Sequence, residues 1–257
     1  MKRIIVTGST SGIGWGIAQV FAKEGHKILL NGIESADEVA GMVATITKLS
    51  GHEPVYSNAD LSTHEGCGEI VEACNQAFGG VDVVINNAGV QHKDVVEKFP
   101  REKWSFVLRL NLEAPFYIAQ HVLPAMYKQG WGRLIHISSA HGLVASTQKA
   151  AYVTAKHGLM GLSKVIALEA AGKGVTSNCI CPGWSLTPLV EKQIQGIAEK
   201  EGVTFDQAKD KLLSEKQPSK EFVSPEQLGK AALFLASDDA AQVTGAHLSM
   251  DGGWTAV

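Results

Sequence analysis

The chain has 257 residues, of which 45% are hydrophobic and 19% charged, so it can bury a substantial core in one large domain. The net charge of −3 is spread over interspersed acidic and basic residues, which excludes the basic stripes that bind nucleic acid or anionic lipid. No apolar run reaches the length of about 18 residues that a membrane-spanning helix needs, and GSTSG interrupts the opening apolar run before a signal-peptide core forms. We expect a cytoplasmic protein with a single domain at 1–257 and a small-molecule partner, without nucleic acid or membrane contacts.

The cysteines exclude two further classes of protein. Cys67, Cys74, Cys179 and Cys181 lack the paired C-x-x-C spacing of zinc and thioredoxin-type sites, and they are too few for a disulfide scaffold. We therefore expect buried, reduced thiols and no bound metal.

Short strand-like runs alternate with longer helical segments along the chain. RIIVTG precedes a helix at about 12–24, and KILLNG precedes a helix through ADEVAGMVATITKL. Further strands are predicted at EPVYSNAD, VDVVINNAG, WGRLIHISS, GVTSNCICPG and HLSMD. This alternation predicts an α/β fold, with a parallel sheet covered by helices on both faces.

A polar and mostly helical insertion occupies 185–220, between the sixth and seventh predicted strands. Because ligands bind beyond the carboxyl ends of the strands in such sheets, this insertion is placed to cover a substrate. A solvated surface excursion fits its composition equally well.

Two glycine-containing motifs follow predicted strands. TGSTSGIG, Thr7 to Gly14, lies between a strand and a helix, where its glycines permit a tight turn and the helix N-terminus suits a pyrophosphate. NNAG, Asn86 to Gly89, ends the fourth strand, where a cofactor would cross the sheet. Each motif taken alone also fits an ordinary turn.

Further along, Ser139 closes LIHISS, and Tyr152 and Lys156 form a Y-x-x-x-K pair in a helix-forming run. Such a pair is common on exposed helices, so it carries little information in isolation. The order of all four elements carries the argument. With T-G-x-x-x-G-x-G, N-N-A-G, a serine and Y-x-x-x-K in sequence, the chain resembles the short-chain dehydrogenase/reductase family over essentially its whole length.

The resemblance implies a Rossmann-type, doubly wound, parallel seven-stranded sheet, and a homotetramer. It implies catalytic roles for Asn111, Ser139, Tyr152 and Lys156. The cofactor site that it implies consists of Gly8, Thr10, Ser11, Gly12, Ile13, Gly14, Ile33, Asp60, Leu61, Asn87, Ala88, Gly89, Tyr152, Lys156, Pro182, Gly183 and Thr187.

The Y-x-x-x-K pair has a chemical rationale. Residues four apart share a helix face, so the Lys156 ammonium is predicted to favour the phenolate of Tyr152 and make it a general base. Ser139 is expected to hydrogen-bond the same substrate oxygen. The resemblance implies that Lys156 also holds the nicotinamide ribose and that Asn111 organises a water chain.

The choice of nicotinamide cofactor depends on the end of the second strand, where an acidic residue grips ribose hydroxyls or a basic one accepts a 2′-phosphate. Gly32 and Ile33 stand there, with no Arg or Lys nearby or within TGSTSGIG. We therefore expect NAD, although the acidic anchor is missing.

Longer matches indicate a subgroup of the family that acts on a short hydroxy acid: NNAGVQH, SSAHGLVASTQKAAYVTAKHG, CPGWSLTPLVEKQI, EKQPSKEFVSPEQLG and DGGW. This resemblance implies reversible, NAD-dependent oxidation of (R)-3-hydroxybutyrate to acetoacetate. It implies a substrate site with Gln91, His141, Lys149 and Gln193 around the carboxylate, Trp184 and Trp254 as apolar walls, and Ser139 and Tyr152 at the hydroxyl.

Other interpretations remain open. Taken singly, Lys149 fits a solvated lysine at a helix start, His141 a loop or core histidine, and Gln193 an exposed helix residue. A carbonyl reductase acting on a sugar, polyol or acyl thioester is a second enzymatic hypothesis, and a non-catalytic dinucleotide-binding module is a third. The chain departs from the subgroup at Trp15, Arg109 and 31–33, which affects the adenosine end of the site.

Overall fold

The computed structural model describes residues 1–256, and its centre is a seven-stranded parallel sheet of order β3-β2-β1-β4-β5-β6-β7. The strands are β1 Arg3–Val6, β2 Lys27–Asn31, β3 Val55–Ser57, β4 Val83–Asn86, β5 Gly132–Ile137, β6 Val175–Pro182 and β7 His247–Met250. Every adjacent pair runs parallel. The predicted seven-stranded Rossmann-type sheet is confirmed.

Helices connect successive strands. They are α1 Gly12–Lys23, α2 Ala36–Ser50, α3 His64–Phe78, α4 Arg101–Leu108, α5 Ala114–Gln129, α6 Ala150–Glu169, α7 Pro188–Glu201, α8 Phe205–Ser214 and α9 Pro225–Leu235. Short 3₁₀ turns occupy Val96–Lys98 and Ala140–Gly142, and a π turn occupies Arg109–Glu113. Within the described residues, none of these helices has the length and apolar character needed to cross a membrane.

The core lies on both faces of the sheet, as the alternation of buried side chains along β1 illustrates. Ile4 and Val6 pack with α1 and α9 on one face, whereas Ile5 packs with α3 and α5 on the other. Because successive strand residues point to opposite faces, a continuous apolar run such as RIIV serves two helical layers at once.

The strand order reverses at β1, which pairs with β2 on one side and with β4 on the other. The connections that leave the carboxyl ends of β1 and β4 therefore diverge, and a crevice opens between them. TGSTSGIG follows β1 and NNAG overlaps the end of β4, so both motifs border this crevice.

The segment 185–220 contains α7 and α8, as predicted, and these helices share a small core of their own. Val190, Ile194 and Ala198 of α7 pack against Ala208 and Leu212 of α8. The two helices of the segment are therefore held together by an apolar contact rather than being separately solvated.

Candidate active site

A cleft of about 560 Å³ lies at the carboxyl ends of the strands and extends across the crevice at β1 and β4. All of the predicted site residues except Gly14 line it. Gly14 packs beneath the cleft, where a Cβ would collide with Gly8 O and Asn87 Nδ2, so its predicted cofactor contact is replaced by a packing role.

The glycine-rich turn is bound to the NNAG loop by close approach and hydrogen bonds. Gly8 has φ 58°, and a Cβ there would lie 2.9 Å from the Ala88 Cα, so a side chain does not fit. Asn87 Nδ2 donates to Thr7 O at 2.9 Å and to Gly8 O at 3.0 Å. The two motifs thus form one backbone surface.

The N-terminus of α1 faces this surface and is available to an anion. Ser11 is the N-cap residue, yet its side chain makes no capping hydrogen bond. The first N–H groups of α1 are therefore free to bind a pyrophosphate in a place where the helix dipole favours negative charge. This feature fits a dinucleotide cofactor.

At the adenosine end of the cleft, the structure supplies an acidic group that the sequence reasoning missed. Glu34 lines the cleft, and its Oε2 accepts a hydrogen bond from Ile33 N at 3.0 Å and lies close to Gly32, where a Cβ would collide with it. Ile33 itself is 92% exposed. The prediction that this end lacks an acidic anchor is therefore wrong, because the chain turns back after Ile33.

Asn31, one of the departures from the subgroup, braces this end of the cleft. Its Oδ1 accepts from Gly8 N at 3.2 Å, and its Nδ2 donates to Ser57 O at 3.1 Å and Ala59 O at 3.2 Å. One buried side chain thus joins the glycine-rich turn to the ends of β2 and β3. Asp60 and Leu61, which follow β3, line the cleft as expected.

Tyr152 and Lys156 both face the cleft from α6, but the ammonium does not hydrogen-bond the phenol. Lys156 Nζ donates to Ile137 O at 2.7 Å and lies 5.6 Å from the centroid of the Tyr152 ring. Burial lowers the pKa of Lys156 to about 8. Burial also raises the pKa of Tyr152, and the neighbouring Ser139 hydroxyl offsets only part of this rise.

In the protein alone, the surroundings of Tyr152 favour its protonated form. Desolvation disfavours the phenolate, and Lys156 Nζ donates to Ile137 O rather than to the phenol. Additional positive charge or hydrogen bonds at the phenol oxygen are needed before Tyr152 can act as a base.

Asn111 owes its position to the π turn between α4 and α5. Its side chain is fully buried, and Nδ2 donates to Val90 O and Val107 O, both at 2.9 Å. Its Oδ1 lies beside Gly89 and has no hydrogen-bond partner among the described residues. A buried, unpaired acceptor at the wall of the cleft fits the predicted role of binding a water.

The substrate end of the cleft is lined by a buried lysine and two tryptophans. Lys149 is only 9% exposed, and its Nζ lies 5.4 Å from the centroid of the Trp184 ring. Trp184 and Trp254 stack with centroids 6.2 Å apart, and His141 meets Trp254 edge-on at 5.0 Å. The interpretation of Lys149 as a solvated lysine is therefore wrong.

Burial strongly shifts the titration of both basic groups here. It lowers the pKa of Lys149 to about 8, with further lowering by Lys93 and Lys216. Burial and the nearby lysines lower the pKa of His141 to about 3, so the ring is neutral at physiological pH. The substrate end therefore combines one desolvated cation with a neutral imidazole, which suits a small anion.

Gln91, which follows β4, and Gln193 of α7 also line the cleft. Gln193 lies on α7, and its Oε1 accepts from Lys93 Nζ at 3.3 Å. The segment 185–220 thus contacts the loop that follows β4.

Several lining residues had no sequence signal. They are Asn31, Glu34, Ala59, Val90, Phe106, Leu110, Ile137, Ser138, Ser185, Pro188 and Val190. Most of them flank predicted motif residues at strand ends, so extending each motif by two or three residues would have found them. Phe106 and Leu110 lie outside these motifs. Only the packing of α4 and of the π turn decides that these two side chains line the cleft.

The chain belongs to the short-chain dehydrogenase/reductase family. A family model described as Enoyl-(Acyl carrier protein) reductase matches residues 8–255. The fold, the free N-terminus of α1 and the set Asn111, Ser139, Tyr152 and Lys156 agree with this assignment. The protein is an oxidoreductase of this family and binds a nicotinamide cofactor.

Two curated relatives carry a more specific name. The chain is 48% identical over 255 residues to D-beta-hydroxybutyrate dehydrogenase of Cupriavidus necator, covering 99% of this chain and 98% of that protein. It is also 48% identical over 255 residues to the protein of the same name from Rhizobium meliloti, covering 99% of each.

Among solved structures, the chain is similar to L-sorbose reductase of Gluconobacter frateurii in complex with NADPH and L-sorbose. The TM-score is 0.95 at 32% identity, covering 100% of this chain and 97% of the other. An actinorhodin polyketide ketoreductase bound to NADPH matches with a TM-score of 0.91 at 29% identity, covering 99% of this chain and 97% of the other.

The contact between Gly8 and Ala88 predicts a selective loss of cofactor binding. Gly8→Ala and Gly25→Ala both place alanine at a left-handed φ, a shared strain of about 1 kcal/mol, but only Gly8 meets a neighbouring backbone. We expect Gly8→Ala to weaken NADH binding by at least about tenfold, because the displaced turn no longer presents its N–H groups. Fluorescence titration measures this, and equal affinities for the two variants would contradict it.

Proposed function

We propose that the protein catalyses the reversible, NAD-dependent oxidation of (R)-3-hydroxybutyrate to acetoacetate. The observation that carries the proposal is the buried Lys149, which lies beside His141 and the stacked pair Trp184 and Trp254 in the same cleft as Tyr152. The names of the two relatives at 48% identity support the same substrate.

The chemistry of the substrate matches the arrangement of groups. A four-carbon hydroxy acid offers a carboxylate, a hydroxyl and a methyl group for recognition. Lys149 provides the charge for the carboxylate, and His141, Gln91 and Gln193 provide hydrogen-bonding groups around it. A carboxylate also offsets the desolvation that lowers the pKa of Lys149, so binding benefits both partners.

The reacting end uses the catalytic set. A bound nicotinamide supplies the hydride acceptor and, in its oxidised form, positive charge near the phenol. Tyr152 takes the hydroxyl proton of the substrate, and Ser139 hydrogen-bonds the same oxygen. Lys156 holds ribose and adds charge, while the unpaired Oδ1 of Asn111 holds a water through which the proton leaves.

The segment 185–220 is proposed to close over the substrate. Gln193 belongs to this segment, whereas Gln91, His141 and Lys149 belong to the core, so one carboxylate can join the two parts. Closure excludes water and aligns the carbinol carbon for hydride transfer.

Glu34 supports NAD as the physiological cofactor. Its carboxylate can accept hydrogen bonds from the ribose hydroxyls and would repel a 2′-phosphate at the same place. Lys149 and Lys156, the lysines that line the described cleft, lie at the other end. The solved relatives with bound NADPH show that the family also uses the phosphorylated cofactor. The preference for NAD therefore rests on this chain's own residues.

A homotetramer is part of the proposal, in line with the family resemblance. Trp104 and Phe106 of α4 and Phe116 of α5 are partly exposed large aromatic side chains, which suits burial between subunits.

The function is tested by following reduced cofactor with each enantiomer of 3-hydroxybutyrate and with either NAD or NADP. We expect turnover of the R enantiomer with NAD. Tyr152→Phe should lower kcat by about 10²- to 10⁴-fold while leaving NADH binding largely intact, because the ring remains and only the proton-transfer group is removed. Near-native turnover by Tyr152→Phe, or activity confined to sugars or acyl thioesters, would overturn the proposal.

The cofactor choice is tested with Glu34→Gln, which keeps the shape of the side chain and removes its charge. We expect this variant to lose most of the discrimination between NAD and NADP, at least about tenfold in the ratio of kcat/KM values, because repulsion of the 2′-phosphate disappears. Glu38→Gln, at an exposed carboxylate on α2, is the matched control and should keep the native ratio. Equal ratios for both variants would show that Glu34 does not select the cofactor.

The carboxylate site is tested by the pH dependence of inhibition by butyrate, which lacks the reacting hydroxyl. Protonated Lys149 binds the anion, so affinity is fully present below the free-enzyme pKa of about 8 and is lost as the pH rises through it. Above that value, we expect the inhibition constant to rise by about tenfold per pH unit in the native protein.

Two variants of Lys149 control this measurement. Lys149→Arg remains protonated and should remove the pH dependence near pH 8 while keeping inhibition. Butyrate should inhibit the Lys149→Met variant only weakly at every pH. An unchanged profile in Lys149→Arg would assign the titration to another group and exclude the carboxylate role of Lys149.

A further inference from the structure

Behind His141, away from the catalytic set, a short chain of polar contacts leads to a third lysine. His141 Nε2 and Ser146 Oγ are 2.9 Å apart, and Lys216 Nζ donates to the same Ser146 Oγ at 2.9 Å. Ser146 lies in the loop before α6, and Lys216 lies just after α8. Neither residue belongs to the predicted site.

The position of Lys216 is defined by its surroundings. Its Nζ lies 5.5 Å from the centroid of the Trp254 ring. The adjacent Gln217 is buried, and its Oε1 accepts from Trp184 N at 2.9 Å, which fixes the backbone beside the cleft. Lys216 therefore reaches Ser146 from an anchored segment.

The donors and acceptors in this chain restrict the imidazole. An ammonium group only donates, so Ser146 Oγ must accept from Lys216. The neutral ring of His141 carries one N–H, on Nδ1 or on Nε2. Lys216 occupies one of the two lone pairs of Ser146 Oγ, and its positive charge favours turning the hydroxyl hydrogen away from it, toward Nε2. In that arrangement Nε2 is the acceptor.

We propose that Lys216 is a positioning residue that acts through Ser146 to hold His141 in the Nδ1–H tautomer, so that Nδ1–H is the donor offered to the substrate carboxylate. Among the described residues, only Nε2 of this ring has a hydrogen-bond partner, which leaves Nδ1 for a ligand. The proposal rests on the proposed function, because it assigns to His141 a carboxylate ligand.

Burial, and after it the nearby positive charges, lowers the pKa of His141 and keeps the ring neutral, as the proposed relay requires. The charged and titratable groups around His141 are Lys149, Lys93, Lys216, His157 and Tyr152, and the three lysines and His157 all oppose its protonation. Without Lys216, the hydroxyl of Ser146 is no longer turned toward Nε2 by a neighbouring charge, and acceptance of a hydrogen bond from Nε2–H becomes more favourable. The carboxylate would then face the lone pair of Nδ1 in place of the Nδ1–H donor, and the lone pair and the carboxylate would repel each other.

The tautomer is measured directly by long-range ¹H–¹⁵N correlation spectra of ¹⁵N-histidine-labelled full-length protein, with His141→Gln used to assign the ring. The native protein should show His141 with Nδ1 protonated and Nε2 as acceptor. Lys216→Met should shift the ring toward the Nε2–H tautomer. Native His141 in the Nε2–H form, or no change in Lys216→Met, would overturn the relay. This measurement needs no substrate, so it stands even if the enzyme prefers another one.

Kinetics tests the consequence for substrate binding. We expect Lys216→Met to raise KM for 3-hydroxybutyrate by about tenfold with a smaller effect on kcat, since one hydrogen bond to a charged group is lost. Lys216→Arg, which keeps a charged donor, should restore most of the affinity. Lys200→Met removes an exposed charge from α7 and should behave as the native protein.

A double-mutant comparison separates a relay from a direct charge effect. If Lys216 acts through the imidazole, Lys216→Met should change KM by less than about twofold in a His141→Gln background. A full effect in that background would mean that Lys216 attracts the carboxylate directly, and the relay would be wrong while the proposed function stood. Absence of any turnover of 3-hydroxybutyrate by the native protein would instead refute the function.

Discussion

The pairing of β1 with both β2 and β4 is the constraint on which the site depends. Parallel strands deliver their carboxyl ends to one edge of the sheet, and the reversal of order at β1 separates the connections that leave this edge. The glycine-rich turn, the NNAG loop and the end of β5 thereby meet around one cleft. Asn31 and Asn87 hold the resulting loops together by hydrogen bonds to backbone carbonyls.

The cleft has opposite charge at its two ends. Glu34 contributes a carboxylate at one end, and Lys149 and Lys156 contribute ammonium groups at the other, where burial lowers the pKa of each to about 8. The two ends therefore suit different chemical groups. The carboxylate can accept hydrogen bonds from hydroxyl groups, and the ammonium groups can bind a small anion. The desolvated lysines gain most from a bound anion, because neither forms an ion pair with an acidic side chain among the described residues.

Desolvation also acts on Tyr152, the proposed general base. The phenol of Tyr152 is raised in pKa by the same burial that isolates the reaction from water. Lys156 lies too far from the phenol to donate to it and instead donates to Ile137 O. In the proposed reaction, the positive charge of the bound oxidised nicotinamide would therefore be needed to favour the phenolate.

The sequence alone determined the alternation of strands and helices, the motifs at the strand ends and the order of the catalytic residues, because periodicity, turn glycines and helix spacing are local properties. Through the family resemblance, the sequence also indicated Lys149 as a candidate for the carboxylate site, although no local pattern reveals that this lysine is buried. The tertiary structure decided the rest. Glu34 reaches the cleft because the chain folds back after an exposed Ile33, Asn111 is aimed by a π turn, and Lys216 meets Ser146 across 70 residues. The contact of Lys216 with Ser146 joins segments remote in sequence. The directions of Glu34 and Asn111 follow from the course of the backbone at these positions, which no local sequence pattern reveals.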